Sequence, residues 1–449
     1  MTPMLSDTIN NDANNDDELT LILNRKNAVQ IQLQNMTFDY PRWTEALDQN
    51  RTLVHVTIAV SLRALATNPT VLQFFRAIGK LPRLQKLEFR GGTSCCHWRF
   101  PWQILTKGCL LLHDDVQHDD NESSNEQHQQ SVLHTLHIQD VEFSSGKHQE
   151  EITELAQCIS SLPSLKKLTL AHCRLEQNYQ NYRAGSTTLD PLFHAILTSP
   201  TLEKVIVSAT RVHALGGAVS KQTLRQVFAS HQQMQQPMAL QELRLLQFDF
   251  VPDILTALLG TLLRQHAQFK SLFLSSCQWD RTSLRLLAQF LIQSSDNLKE
   301  LQLLGTDLNN LLHDSSLVEC HVELADALAS SSLWTFLVRE LYPWKKKKRN
   351  HDDEKELELT LVAQQAYLTM IQTHNYHLQE FCMVQQFAPQ PQGLMEFYLR
   401  LNRAGRHDAE NSDHKQAWVN AVAAVNDSVA CIFFFLSRNP SLCNEALLE

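Results

Sequence analysis

Glycine is scarce in this chain: 12 of its 449 residues are glycines. The sequence has no Gly-x-x-x-x-Gly-Lys-Ser/Thr phosphate loop, no Gly-x-Gly-x-x-Gly turn, no His-Glu-x-x-His pair and no Gly-x-Ser-x-Gly elbow. These absences remove the common signatures of nucleotide binding, zinc peptidases and serine hydrolases. We therefore predict no catalytic residue, no metal site and no cofactor.

Long apolar runs and paired cysteines are lacking too. The most hydrophobic late stretch, residues 429–436, is far shorter than the roughly 20 residues that a membrane-spanning helix needs. The ten cysteines show no paired spacing, and no apolar presequence opens the chain. A formal net charge of −9 disfavours generic nucleic-acid binding. We expect an intracellular protein, cytoplasmic or nuclear, that binds neither a membrane nor a specific nucleic acid.

What the chain has in abundance is the phrase Leu-x-x-Leu-x-Leu. Clear copies, with Leu or Phe in the sixth place, begin at Leu84, Leu165, Leu240 and Leu298. Weaker copies begin at Ala28, Leu53, Leu133, Leu202, Phe269, Leu333 and Leu378. Apolar residues at positions 1, 4 and 6 suit a short strand with one buried face, and one such unit has too little core to fold alone. The sequence therefore predicts a stack of repeats.

Segments of helical spacing separate these phrases. Apolar residues recur every three or four positions in 70–80, 152–161, 190–197, 255–263, 284–291 and 322–329. The steps from Leu240 to Phe269 and from Phe269 to Leu298 are 29 residues each, and this period resembles the ribonuclease-inhibitor-like class of leucine-rich repeats. The resemblance implies an α/β leucine-rich-repeat solenoid, or horseshoe, with a parallel sheet inside and helices outside.

Two repeats continue past the strand to a cysteine, namely Cys173 and Cys277. Leucine-rich repeats usually place Asn or Cys in this slot, because a small donor there satisfies backbone carbonyls of the neighbouring coil. We predict that these two thiols occupy such a ladder. Other repeats carry residues such as Met36, Val141 and Phe248 there, so the ladder is irregular.

Composition predicts the domain layout. We expect a disordered N-terminus over 1–20, a solenoid over 21–408 with insertions near 113–130 and 344–356, and a helical C-terminal cap over 409–449. The first insertion is rich in His and Asp; it is typical of a solvated loop, with a weak divalent-metal cluster as the alternative. The second contains Lys345–Arg349, which suits either a solvated loop or a nuclear import signal.

The end of the chain has its own pattern. Apolar residues from Trp418 to Leu436 follow helical spacing, and Asn439-Pro440 ends what we predict as one helix. The segments 398–406, 418–419, 425–427 and 435–443 resemble the ending of uncharacterised leucine-rich-repeat proteins of diatoms and related algae. This resemblance implies lineage and supplies no activity.

The repeat also predicts which side chains face away from the helices. Positions 3, 5 and 7 are polar in the early repeats, whereas the later ones place apolar residues there. The predicted partner-binding patch comprises Leu246, Phe273, Leu304 and Leu337, flanked by Arg244 and Arg339. Exposed apolar patches usually mark binding sites for other proteins.

The leading hypothesis is a non-catalytic scaffold that binds a protein partner on its concave face. Activation of a GTPase is the alternative, since activators of Ran resemble this repeat class and Arg90 or Arg244 could supply an arginine finger. The acidic C-terminal segment frequent among those activators is missing. A ubiquitin-ligase substrate receptor is the third option, and the segment before Ala28 is too short for an F-box.

Overall fold

The structure is a computed structural model in which two compact units form, unit 1 (Met1–Phe248) and unit 2 (Asp249–Glu449). It describes residues 30–34, 40–60, 69–91, 97–98, 103, 132–143, 148–173, 189–209, 239–246, 250–264, 269–275, 277–304, 317–339, 353–381, 389–411 and 414–445. The predicted N-terminal segment 1–20, the insertion 113–130 and the basic run 345–349 lie outside these residues.

Unit 1 is built on a parallel sheet. Its strands are β1 (Gln30–Gln34), β2 (His55–Val60), β3 (Lys86–Gly91), β4 (His97–Trp98), β5 (Thr135–Gln139), β6 (Glu142–Phe143), β7 (Lys167–Cys173), β8 (Lys204–Ala209) and β9 (Glu242–Leu246). All but β4 and β6 belong to the main sheet, in chain order, and those two short strands pair with each other. The helices are α1 (Tyr40–Gln49), α2 (Pro69–Gly79), α3 (His148–Ser161) and α4 (Asp190–Thr198).

Unit 2 repeats the alternation and then becomes helical. Its parallel strands are β10 (Ser271–Ser275), β11 (Glu300–Leu304), β12 (Thr335–Arg339) and β13 (Glu380–Phe381). The helices between them and beside them are α5 (Pro252–Arg264), α6 (Arg281–Gln293), α7 (Val318–Ala329) and α8 (Asp353–Thr373). The C-terminal helices are α9 (Pro389–Arg403), α10 (Arg406–Asn411), α11 (Lys415–Ala424), α12 (Val429–Arg438) and α13 (Ser441–Glu445).

The repeat phrase sets the start of every strand in the main sheets. Each strand begins at repeat position 3, as β3 does at Lys86, two residues after Leu84. Neighbouring strands then pair position for position, so that Leu87 lies opposite Leu136, and Leu136 lies opposite Leu168. Between β7 and β8 the register shifts after Leu170. The predicted α/β solenoid of parallel strands alternating with helices is confirmed.

Burial follows the same phrase. In the third repeat Leu84, Leu87 and Phe89 are at most 3 % exposed, and they lie on the side of the sheet that the helices cover. The ring of Phe75 on α2 lies 6.2 Å from the ring of Phe89. Burying one such side chain stabilises the fold by about 1.5–3 kcal/mol. Positions 1, 4 and 6 therefore form the core that no single repeat could build alone.

Asparagine side chains fix the turn that leads into two of the strands. The Oδ1 atom of Asn50 accepts hydrogen bonds from the backbone N–H groups of Thr52 and Leu53, both at 2.9 Å. Asn375 repeats this arrangement with the N–H of Leu378 at 2.9 Å. Each asparagine stands three residues before repeat position 1, so it satisfies buried backbone donors where the chain leaves the helix side.

The predicted cysteine ladder is confirmed for Cys173. Its buried thiol donates a weak hydrogen bond, with an S···O distance of 3.6 Å, to the backbone carbonyl of Ile138 on the neighbouring strand. Burial raises the pKa of the Cys173 thiol to about 12, which keeps it protonated as a donor. Cys277 is buried as well, but its thiol lies 3.9 Å from the backbone carbonyl oxygen of Ser275 in its own coil.

The predicted single helix from Trp418 to Leu436 is wrong, because two helices stand there. α11 ends at Ala424 and α12 begins at Val429, with the N–H of Ser428 bonded to the carbonyl of Val425 at 2.8 Å. The intervening Asn-Asp-Ser residues favour turns and caps over helix interiors, although the apolar spacing continues across them. Phe433 on α12 is 72 % exposed.

The end of the second predicted insertion overlaps a helix. α8 begins at Asp353, so residues 353–356 of the predicted insertion 344–356 are helical. The acidic residues that open α8 suit a helix N-terminus, where the macrodipole favours negative charge. The C-terminal helices then share a core of their own, in which Leu401 of α9 packs in one cluster with Ala409 and Phe435.

Candidate binding site on the strand face of unit 1

One side of the sheet in unit 1 is partly exposed along the described strands. On β5 the side chains of Leu136 and Ile138 are buried, while those of Thr135, His137 and Gln139 are partly exposed. The strand β9 alternates in the same way. Parallel sheets are usually covered on both faces, so an open face in a parallel sheet is unusual. We call the surface formed by positions 3, 5 and 7 the strand face.

A buried carboxylate organises the middle of this face. Glu88 on β3 is 5 % exposed. Its Oε1 atom lies 2.9 Å from Nζ of Lys86 and 3.0 Å from Nδ1 of His137. Its Oε2 atom accepts a hydrogen bond from Oγ1 of Thr57 at 2.9 Å and lies 3.3 Å from Nε2 of His55. The Glu88 cluster consists of His55, Thr57, Lys86, Glu88, Arg90 and His137.

The register of the sheet brings these residues together. Thr57 lies directly opposite Glu88, and Glu88 lies directly opposite His137. His55 lies opposite Lys86 at the preceding row. Residues from three repeats, 31 and 49 positions apart in sequence, therefore meet because they share repeat positions 3 and 5.

The surroundings of Glu88 hold its carboxylate ionised. Burial acts to raise the pKa of Glu88, but hydrogen bonds from Lys86, Thr57 and His137 outweigh that effect and lower the pKa to about 2. Burial, followed by the positive charge of Lys86, lowers the pKa of His55 below its ordinary value. Because Glu88 is ionised, the Nδ1 atom of His137 carries the proton that points at it.

This arrangement suits binding better than acid–base catalysis. A general acid or base works best with a pKa near the operating pH, and the pKa of Glu88 lies far below neutrality. Both of its oxygens are already occupied by donors from the same face. Among the residues that the structure describes, no group of three His, Cys, Asp or Glu side chains is placed to hold a metal ion. The cluster fixes a set of polar side chains in one geometry.

Comparison of the chain with models of known protein families and with curated protein sequences finds no match. Within the described segments, no helix is both long enough and apolar enough to cross a bilayer.

A second charged group lies at the other end of the strand face. Glu242 on β9 is 2.6 Å from Nζ of Lys204 on β8 and 2.5 Å from Nε of Arg244 on its own strand. Lys204 and Glu242 lie directly opposite each other in the sheet. The Glu88 pattern therefore recurs, since one carboxylate is held between two cationic side chains.

The predicted partner-binding patch divides between the two units. Arg244 and Leu246 lie on β9 of unit 1, where both side chains are partly exposed. Phe273 lies on β10 of unit 2 and is also partly exposed, between the buried Leu272 and Leu274. As predicted, β11 carries Leu304, and β12 carries Leu337 and Arg339. The structure describes only the backbone of these three residues.

Polar positions interrupt the apolar ones in unit 2. Gln302 lies between Phe273 and Leu337 in one row of the sheet. In the next row Leu304 lies between Ser275 and Arg339. Apolar and polar positions therefore alternate along both rows of the sheet in unit 2. The predicted residues of unit 2 lie on three neighbouring strands, β10, β11 and β12.

The Glu88 cluster is the part of the site that the sequence analysis missed. The repeat pattern predicts only that positions 3, 5 and 7 of the early repeats are polar, and no motif singles out Lys86 or Glu88. The sequence does contain a signal for the cluster. Counting from the start of each repeat places Thr57, Glu88 and His137 at position 5 and His55 at position 3, which are adjacent rows of the sheet. Reading charges across repeats at equal positions, as cross-strand pairs, would have found a carboxylate surrounded by donors.

Unit 2 has an apolar groove. It has a volume of about 710 Å³ and is lined by Val322, Asp326, Leu361, Val362 and Met370 among others, on α7 and α8. Leu361 and Val362 are 41 % and 51 % exposed. Few polar groups converge on this groove, so it has less to fix the orientation of a ligand than the Glu88 cluster has.

Proposed function

We propose that this chain is a non-catalytic protein-binding scaffold of the leucine-rich-repeat type that holds a protein partner on its strand face. The observation that carries the proposal is the open face of the parallel sheet in unit 1, whose helices cover the opposite side. An intracellular location, cytoplasmic or nuclear, belongs to the same proposal.

The fixed positions of the charged side chains on this face support a binding role. Glu88 and Glu242 each contact side chains of their own strand and of a neighbouring strand at distances of 2.5–3.5 Å. Long side chains that are fixed before a partner arrives lose less rotamer entropy on binding, a cost of about 0.5–1.5 kcal/mol for each side chain immobilised. The strand face is therefore preorganised for a partner of complementary charge and shape.

In unit 2 the proposal assigns the partner contact to Phe273, Leu304 and Leu337, with Arg339 at the edge. Partly exposed apolar residues among polar ones are the usual composition of a non-obligate protein interface. Leu246 and Arg244 extend the same proposal to β9 of unit 1.

Activation of a GTPase ranks second. That function would need an arginine able to enter the GTPase site. Arg90 lies 3.5 Å from Glu88, and Arg244 lies 2.5 Å from Glu242, so each faces a carboxylate of its own sheet. Nothing distinguishes either arginine as a catalytic finger. A ubiquitin-ligase substrate receptor ranks third, because no observation favours it.

The test is to recover partners by affinity purification with mass spectrometry, purify the main candidate and reconstitute the complex. Hydroxyl-radical footprinting of that complex should protect Phe273 on the strand face. Ile292 is the matched control, since it is an apolar residue of unit 2 that is 54 % exposed on α6.

Protection of Phe273 with unchanged labelling of Ile292 supports the proposal. Protection of Ile292 alone, with no change anywhere on the strand face, would overturn it. Faster GTP hydrolysis by a recovered GTPase, lost on changing Arg90 or Arg244, would replace the scaffold with the activator.

A further inference from the structure

The strand face of unit 1 carries an excess of positive charge. From β3 to β9, positions 3, 5 and 7 hold the basic residues Lys86, Arg90, Lys167, Lys204 and Arg244. Only two carboxylates, those of Glu88 and Glu242, occupy the same positions. The whole chain has a formal net charge of −9, so this face has the opposite sign to the protein that carries it.

The two carboxylates do not neutralise the face. Glu88 has Lys86 at 2.9 Å and Arg90 at 3.5 Å, and Glu242 is held between two cations in the same way. Each group therefore keeps one positive charge in excess. Because both carboxylates are already engaged, they repel a further anion less than isolated carboxylates would.

Lys167 adds a cation between the two groups. Its side chain is exposed, and it has no ion-pair partner among the described residues of unit 1. In the sheet it lies directly opposite Lys204 on one side and Thr135 on the other. Thr135 in turn lies opposite Lys86. Three lysines thus follow repeat position 3 across four neighbouring strands.

We propose that the strand face between β3 and β9 binds an acidic peptide segment of the partner protein, whose carboxylates lie along the row Lys86, Lys167 and Lys204. This inference rests on the scaffold function proposed above and names the chemistry of the partner. Neighbouring strands are about 4.8 Å apart, and an extended peptide presents alternate side chains about 6.6 Å apart. A lysine side chain is long enough to reach across that difference.

The composition of the face favours a peptide over a nucleic acid. Proteins that bind single strands stack the bases on aromatic side chains. No Phe, Tyr or Trp occupies position 3, 5 or 7 of β3, β5, β7, β8 or β9. Affinity for a nucleic acid also depends on many phosphate contacts, whereas Glu88 and Glu242 stand among the few cations here.

The experiment uses the full chain and a fluorescein-labelled peptide of alternating Glu and Ser. About 12 residues, at about 3.3 Å each, suffice to cross the five strands. The matched probes are the same peptide with Gln in place of Glu and an oligothymidylate of similar length. Fluorescence anisotropy measures all three.

The key variant is Lys167→Glu, because this lysine is exposed and supports no ion pair within the described residues. Lys270→Glu is the control, since Lys270 is an exposed lysine beside a strand of unit 2. Reversing one charge removes an attraction and adds a repulsion, so Lys167→Glu should weaken binding of the Glu peptide about tenfold. Lys270→Glu should leave it within about twofold. Lys167→Gln should fall between wild type and Lys167→Glu.

Binding of the Glu peptide that depends on Lys167 and weakens with added salt supports the inference. Equal binding of the Gln peptide, or an unchanged affinity in Lys167→Glu, overturns it. Tighter binding of the oligothymidylate would overturn it in favour of a nucleic acid. If the peptide fails to bind while the purified partner still protects Phe273, the scaffold function stands and only the acidic segment is refuted. If the peptide binds through Lys167 while no partner protects the strand face, the scaffold function fails instead.

Discussion

The guanidinium of Arg406 donates a hydrogen bond of 2.8 Å to the backbone carbonyl of Gln372, one residue before the end of α8. Arg406 belongs to α10 and is 1 % exposed. Its guanidinium also lies 4.1 Å from the ring centroid of Tyr376 and pairs with Glu410 at 3.3 Å. The last carbonyls of a helix lack partners within the helix and favour a positive charge. One side chain of the C-terminal helices thus completes the last long helix of the repeats.

Replacing Arg406 should therefore destabilise the contact between α10 and the C-terminal end of α8. Arg406→Met leaves the carbonyls of α8 unpaired and removes the charge stacked on Tyr376, so we expect a loss of about 3 kcal/mol in the free energy of unfolding, measured with urea. Arg403→Met is the control, because Arg403 is exposed on the neighbouring helix α9. Equal stability of the two variants would show that the buried guanidinium contributes little.

Removing residues 409–449 should expose an apolar surface. The truncation deletes Ala409 and Phe435 from the cluster that covers Leu401, which is 0 % exposed in the intact chain. We expect aggregation or loss of soluble expression, since a stack of repeats needs a cover on its end. Size-exclusion chromatography gives the readout. A monomeric and soluble truncation would make these helices a dispensable appendage.

Core and face positions alternate on each strand, which gives a sharp test of the register. Leu170→Asp and Leu303→Asp place a carboxylate at sites that are 0 % exposed, and each should lower the free energy of unfolding by at least about 3 kcal/mol. The adjacent changes Thr169→Asp and Gln302→Asp introduce the same charge at partly exposed positions and should cost far less. Thermal unfolding followed by circular dichroism compares the four variants. Similar melting of a core and a face variant would refute the register.

The free energy of unfolding should decrease in two steps as the pH is lowered, and both steps involve the Glu88 cluster. The pKa of His55 is lowered from 6.5, and that of Glu88 is lowered from 4.5 to about 2. Both groups bind protons more tightly in the unfolded chain, so acid favours unfolding. The His55 contribution is fully present above pH 6.5 and is lost as the pH falls through the lowered pKa of the folded chain. The Glu88 contribution is lost between pH 4.5 and pH 2.

Urea unfolding across this pH range, on wild type and on Glu88→Gln, separates the two steps. The variant should lose the lower step and keep a fall in stability below pH 6.5. An identical slope for the two proteins between pH 4.5 and pH 2 would mean that the contacts of Glu88 are no stronger in the folded chain than in water.

The fold could be predicted because the repeat phrase states burial directly. Leu84, Leu87 and Phe89 are apolar because the sheet buries them, and the same rule places every strand of the main sheets. The break at 425–428 escaped prediction because the spacing of Trp418, Val422 and Val425 continues in phase into α12. Asn426, Asp427 and Ser428 favour a turn there, although the apolar periodicity alone predicts one continuous helix.

The site was harder to predict because its parts are far apart in sequence. His55, Glu88 and His137 come from three repeats, and none of them stands in a motif of its own. Their meeting depends on the register between strands, which converts equal repeat positions into contacts. The turns at Asn50 and Asn375 escaped for a different reason: a single asparagine before a strand is a common loop residue and carries no spacing signal.

Phe273 provides the test of the apolar part of the proposed interface. Aromatic side chains near the centre of an interface tend to carry its energy, so Phe273→Ala should weaken binding of the purified partner by at least about 2 kcal/mol. Gln32→Ala on β1 should have little effect. Isothermal titration calorimetry measures the affinities, and a melting curve confirms the fold. A large loss of stability in Phe273→Ala would mean that the ring is part of the core.

The alignment of neighbouring strands does not depend on how many residues connect them. The step from Leu84 to Leu133 is 49 residues and the step from Phe269 to Leu298 is 29, yet both join strands in the same alignment. Doubling the length of a connection costs only about 0.6 kcal/mol in closure entropy. The connections after the strands can therefore differ in length without changing the spacing of Lys86, Lys167 and Lys204. Selection can act on the connections and on the face as two independent traits.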